Sequence, residues 1–121
     1  MKIHANEKGL YEFDIIVSGC NKSKILKGLV DTGSTDCACN YKVITTLQIR
    51  PIDYTKISSV NNEDKHALIY SCDIEFDGKS ETVPLARVSK LPDDIHFILG
   101  MSILEKCKII INDNHMDISW K

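Results

Sequence analysis

The sequence lacks the features that mark several large functional classes. No apolar run approaches the roughly 18 residues a membrane helix needs. The start, Met1-Lys2-Ile3-His4-Ala5-Asn6-Glu7-Lys8, has no apolar h-region, so the reading is a cytoplasmic protein without a membrane partner. Charge of one sign is missing too: 15 Lys and Arg against 17 Asp and Glu leave a net charge of −2, whereas nucleic acid or an anionic surface rewards a concentrated basic face. The cysteines, Cys20, Cys37, Cys39, Cys72 and Cys107, are odd in number and scattered without a C-x-x-C, which argues against a secreted disulfide framework and predicts reduced thiols. Cys37-x-Cys39 does not have zinc-site spacing, and His4, His66, His96 and His115 form no H-x-x-x-H set, so neither metal nor cofactor is expected. A G-x-S-x-G nucleophile elbow, a phosphate-cradling glycine motif and a calcium loop are all absent from the sequence.

What is present fits one domain over residues 1–121: the chain is 43% hydrophobic and 26% charged, enough to bury a core without staples. Short β-favouring runs separated by turn residues dominate. Leu10 to Val17 and Lys24 to Val30 read as a hairpin about Ser18-Gly19-Cys20-Asn21, and Thr55 to Val60 pairs with Lys65 to Phe76 across Asn61-Asn62-Glu63-Asp64. In the longest strand His66, Leu68, Tyr70, Cys72, Ile74 and Phe76 alternate with more polar positions, predicting one buried face. Asp77-Gly78 is a two-residue hairpin signal leading into Glu81 to Val88, where Pro84 demands an edge or a bulge. Ile95 to Gly100 is a short buried strand, and Lys108 to Asn112 and Met116 to Trp120 form a final hairpin. Two brief helices interrupt the strands, one capped by Asn40 and one opened by the capping-box spacing of Ser102 and Glu105. The pattern predicts an all-β fold, a closed or nearly closed β-barrel with one or two short helices.

The organising stretch is Leu29-Val30-Asp31-Thr32-Gly33-Ser34-Thr35, an apolar strand end that delivers one carboxylate into a turn, which Gly33 is expected to permit by its conformational freedom. Strand, glycine turn and short helix recur at Ile98-Leu99-Gly100. Together these two motifs, at this spacing and in this order of elements from about Tyr11 to Trp120, resemble the retropepsin-like (retroviral-type) aspartic proteases, most of all the free-standing cellular or bacterial ones.

The resemblance implies a barrel of the retropepsin type and an aspartic endopeptidase that acts as a homodimer on an extended peptide or protein. Asp31 would be catalytic, and Thr32 would bond across the dimer axis. Gly33 would offer its N–H to the carboxylate, and Ser34 would support that carboxylate. Ile98, Leu99 and Gly100 would be the structural motif beside the loop, and the reversal at Val60, Asn61, Asn62 and Glu63 the substrate-covering flap. Two departures stand out: the flap tip has no glycine, and Asp36-Cys37-Ala38-Cys39 follows where relatives commonly have apolar residues. The sequence leaves open whether Cys37 and Cys39 are exposed; only if they are would oxidation there modulate activity. A second Asp-Thr-Gly or Asp-Ser-Gly is absent, so one chain supplies one such loop and the pair of carboxylates needs two chains. The rival reading is a dimeric peptide-binding or assembly module with the same fold and no chemistry.

Overall fold

Six strands close around one apolar interior, and the order in which they pair places the Asp31 loop. A computed structural model describes residues 1–58, 64–88, 91 and 95–121. In chain order the elements are β1 (Lys2–His4), β2 (Glu12–Ser18), β3 (Ser23–Val30), β4 (Cys37–Asn40), α1 (Tyr41–Thr46), β5 (Pro51–Ser58), β6 (Asp64–Phe76), β7 (Lys79–Val88), β8 (Phe97–Leu99), α2 (Met101–Leu104), β9 (Cys107–Asn112) and β10 (His115–Trp120). The larger sheet runs β2-β3-β8-β4-β7-β6-β5, and a further pairing of β2 with β6 closes six of its strands into a mixed barrel, with β5 hung outside on β6. Closure comes from Ile16 opposite Glu75, Val17 opposite Ile74 and Ser18 opposite Asp73. A separate three-stranded sheet, β1-β10-β9, joins the two ends of the chain. Among the described residues no helix is long and apolar enough to cross a membrane.

Alternation accounts for the core. Phe13, Ile15 and Val17 of β2 point inward, as do Tyr70, Cys72, Ile74 and Phe76 of β6, while their neighbours face out. The predicted buried face of β6 stops short of Leu68, which is 43% exposed, because only β5 covers the strand there. Pro84 sits on the part of β7 where, among the described residues, β6 is the only neighbour, since β4 joins from Leu85 onward; a residue without an N–H is tolerated at such a local edge. Asp77 and Gly78 both take positive φ (49° and 80°), the geometry that lets a two-residue turn follow the strand twist.

Four expectations need correction. β5 begins at Pro51 rather than near Thr55, since a proline can open a strand as readily as it stops a helix. Strands β1 and β4 are additional. β4 is the run Cys-Ala-Cys-Asn, buried at its first three residues between β7 and β8, so it carries no alternation by which a half-buried strand is read. β1 has three residues and exists only because β10 lies beside it. The second helix starts one residue before Ser102, with Gly100 at its N-cap and no side-chain cap bond, so the capping-box spacing is not used. By contrast Asn40 caps α1 as its position predicts, its Oδ1 accepting from the Val43 N–H at 3.1 Å.

Trp120 fixes the small sheet to the barrel. Its ring stacks on Phe76 (centroids 4.4 Å apart, 24° between planes), Phe76 in turn meets Phe13 edge-on at 5.2 Å, and the Trp120 Nε1–H donates to the Phe76 carbonyl at 2.8 Å. A large apolar ring with its polar atom satisfied holds two elements in one relative orientation.

Candidate active site

Asp31 follows β3 directly, and β3 is itself held on both sides. It pairs antiparallel with β2 and parallel with β8, where Gly28, Leu29 and Val30 stand opposite Phe97, Ile98 and Leu99. The ladder continues one residue further, because the Asp31 N–H donates to the Leu99 carbonyl at 3.0 Å. The Val30 N–H donates to the Tyr11 carbonyl at 2.9 Å on the other side. A backbone so restrained delivers the carboxylate to one place at the barrel's end.

The loop then turns back on itself. The Ser34 N–H donates to the Asp31 carbonyl at 3.2 Å, and the Gly33 N–H donates to Asp31 Oδ1 at 3.0 Å. Gly33 is not in the left-handed region; among the described glycines only Gly9 and Gly78 have positive φ. Conformational freedom is therefore not what the turn takes from it, and a Cβ there would stand 3.3 Å from the same Asp31 oxygen, a tight contact that would press on the carboxylate. The Ser34 hydroxyl donates to the Asp36 carbonyl at 2.8 Å, so in the single chain it braces the loop backbone instead of the carboxylate. Asp31 and Ser34 are half-buried, Thr32 and Gly33 exposed. Among the described residues no cation pairs with Asp31.

The second motif packs against the first. A Cβ on Gly100 would come 2.3 Å from the Asp36 carbonyl oxygen and 2.9 Å from that of Ser34, so only glycine lets the two loops meet. Next along the chain, the Met101 N–H donates to the Ser34 carbonyl at 2.7 Å and the Ser102 N–H to the Thr35 carbonyl at 2.9 Å. Leu99 is fully buried and Ile98 half-buried. These backbone bonds between residues some 65 positions apart carry no local sequence signal. The expected flap residues Val60, Asn61, Asn62 and Glu63 lie outside the described residues; the hairpin beneath them is paired up to Ser58 opposite Asp64.

The cysteines behind the loop are not at the surface. Cys37 and Cys39 are fully buried, which answers the question of their exposure and argues against oxidation as a control beside Asp31. Burial pushes both thiols up, Cys39 from 9.0 to about 12, and Cys72 is raised as well, first by burial and then by Cys39 and Cys37. Sulfur takes part in packing here, with Cys37 Sγ lying 3.7 Å from Ser102 Oγ. Because the folded state holds these thiols neutral, their contribution to stability is complete below about pH 9 and is lost as pH rises through about 12. A thiol reagent should therefore label half-buried Cys20 in the native protein and reach the other four only on unfolding, and melting temperature should fall steadily above pH 9. Fast native labelling of Cys37 or Cys39 would contradict the packing described.

Among the described residues no three His, Cys, Asp or Glu side chains converge on a place for a metal ion. A cavity of about 490 Å³ lies between Cys20, Tyr41, Arg50, Pro51 and Tyr70. Cys20 precedes β3 whereas Asp31 follows it, so this cavity belongs to the opposite end of the strand.

No protein-family model and no curated protein matches the chain. Solved structures do. A retropepsin-like aspartic protease from Rickettsia conorii is similar over 96% of this chain and 86% of its own, with a TM-score of 0.71 at 21% identity. The EIAV protease in an inhibitor complex covers 83% of this chain and 89% of its own, with a TM-score of 0.60 at 19% identity. The Simian Foamy Virus (mac) protease covers 77% and 92%, with a TM-score of 0.53 at 17% identity. The closed six-stranded barrel, with an Asp-Thr-Gly loop locked against a Leu-Gly turn, is thus the fold of the retropepsin-type aspartic proteases.

Proposed function

We propose that the protein is an aspartic endopeptidase whose active site is assembled from Asp31 of two identical chains. The observation that carries this reading is a half-buried carboxylate with no cation partner among the described residues, held at the end of β3 by a backbone bond to Leu99 of β8 and by its own loop, which the Met101 and Ser102 amides bind in turn. A surface turn has no need for such restraint. A catalytic carboxylate does, since small misplacement of a reacting group is costly.

The chemistry follows from bringing two such groups together. Like charges a few ångströms apart do not both ionise readily, so the pair shares one proton and titrates in two coupled steps. The ionised member takes a proton from water as it attacks the scissile carbonyl. The protonated member polarises that carbonyl, and a proton is then delivered to the leaving nitrogen. Neither metal nor covalent intermediate is required. The β5–β6 hairpin would cover an extended peptide and pair with its backbone, leaving pockets to read the side chains.

The test is incubation of the purified protein with a diverse peptide library at mildly acidic and at neutral pH. Cleavage with a bell-shaped pH dependence, blocked by a pepstatin-type inhibitor, is expected. A stable dimer that binds peptides and cuts none would instead establish the binding-module reading.

A further inference from the structure

The outer face of the three-stranded sheet brings together two histidines that no spacing rule along the chain would join. His4 of β1 stands directly opposite His115 of β10, although they come from opposite ends of the sequence. Their ring centroids lie 6.2 Å apart, with 53° between the planes. The backbone pattern explains the close approach. Met1 and Ile118 exchange both backbone bonds, each at 2.9 Å, and the Ala5 N–H donates to the Asn114 carbonyl at 2.8 Å. Bonded and non-bonded pairs alternate along an antiparallel ladder, so His4 and His115 fall at a non-bonded position, where opposed Cα atoms are about 4.5 Å apart and side chains are closest. His4 is exposed next to buried Ile3, and His115 is half-buried next to buried Met116, so both imidazoles lie on the solvent side of the sheet. Among the described residues neither ring takes part in a hydrogen bond or an ion pair.

We infer that His4 and His115 form a binding site for one divalent ion of the zinc, nickel and copper class, its remaining coordination positions open to water or to an outside donor. Imidazole is the commonest protein ligand for these ions. Its nitrogen binds zinc at about 2.0–2.1 Å, which puts the ion about 3 Å from each ring centroid. Two rings 6.2 Å apart therefore bracket such an ion at an open angle, and a small rotation of the exposed His4 side chain closes it. Asn112 is exposed opposite His115 on β9 and offers an amide oxygen on the same face. In the neighbouring row Lys2 opposes Asp117, so the charges beside the site are balanced. Magnesium and calcium, which take oxygen ligands, do not suit it.

The ion would fasten β1, which has three residues and pairs only with β10 among the described residues, to the sheet that Trp120 holds against the barrel. A site built from both ends of the chain exists only in the folded state, so occupancy adds to folding stability. This inference stands independently of the protease reading.

Zinc titration of tag-free protein in a Cys20→Ser background, which removes the one thiol that is not buried, tests it. One equivalent of Zn²⁺ should bind at micromolar concentration, and the imidazole proton signals of His4 and His115 should shift while those of His96 stay in place. With zinc at about 100 times its dissociation constant the melting temperature should rise by about 5–10 °C, and EDTA should reverse the rise. His4→Gln and His115→Gln should each weaken binding by at least about tenfold and cancel most of that rise, while the zinc-free melt stays in place. His96→Gln should change neither binding nor melt, and Mg²⁺ should not replace Zn²⁺. Absence of zinc binding at millimolar concentration, binding that survives both His4→Gln and His115→Gln, or equal weakening by His96→Gln would overturn the proposal.

Discussion

Replacing Asp31 by asparagine should abolish the proposed peptide cleavage while fold and association persist. The amide oxygen can still accept the Gly33 N–H that now reaches Oδ1 at 3.0 Å, so the turn keeps its bond. No ion pair is lost, since none of the described cations faces Asp31, and the change in stability should stay within about 0.5 kcal/mol. What disappears is a group that can take up and return a proton. Positioned acid-base groups contribute about 10²–10⁴-fold each, and in the proposed dimer this substitution would remove both members of the pair at once, so a loss of at least about 10³-fold is expected. Peptide turnover and sedimentation of the purified variant check it. Undiminished cleavage would show that Asp31 is not the reacting group.

Gly100→Ala should be the most disruptive single methyl near the site. Gly100 has an extended backbone (φ −92°, ψ −177°) open to any residue, so the penalty arises from space alone. The new carbon would lie 2.3 Å from the Asp36 oxygen, 2.5 Å from the Asp36 carbonyl carbon and 2.9 Å from the Ser34 oxygen, and all three are backbone atoms that no rotamer change can move. Separation of the two loops would stretch the bonds from Met101 and Ser102 to Ser34 and Thr35. Overpacking of this kind costs about 1–3 kcal/mol, or more where backbone must shift, which for a chain of this size lowers the melting temperature by about 10 °C. Activity should fall further than stability, by about 100-fold, because Asp31 moves with its loop. Thermal melts and turnover measured on one preparation separate the two effects. An unchanged melt would mean that the loops are not in contact at Gly100.

The strand pattern was legible wherever one face of a strand is wet. β2, β6, β7 and the β9–β10 hairpin follow from alternation and from turn residues such as Asp77-Gly78. β4 was not legible because it is covered on both faces, and a run of small residues such as Cys37-Ala38-Cys39 has no period to read. The same burial decided what the sequence left open for Cys37 and Cys39: beside a polar loop in sequence, they are inside the barrel in space. Ser102 illustrates a local rule overridden, since its spacing to Glu105 suits a capping box, yet the helix is positioned by amides of Met101 and Ser102 that bond to the Asp31 loop.

At the site, the sequence by itself singled out one carboxylate and the second motif that accompanies it, because Asp31-Thr32-Gly33 and Ile98-Leu99-Gly100 are short, local and joined to apolar strands. Only the tertiary structure decided why they belong together: parallel pairing of β3 with β8 brings Leu99 to the Asp31 N–H and Gly100 to the Asp36 carbonyl. It also decided that Gly100 is required for room rather than for φ, and that β10 is paired on both sides within its own chain while β9, among the described residues, is paired on one. Contacts between residues far apart in the chain depend on which surfaces meet, and a local pattern of residue types constrains each surface without naming its neighbour.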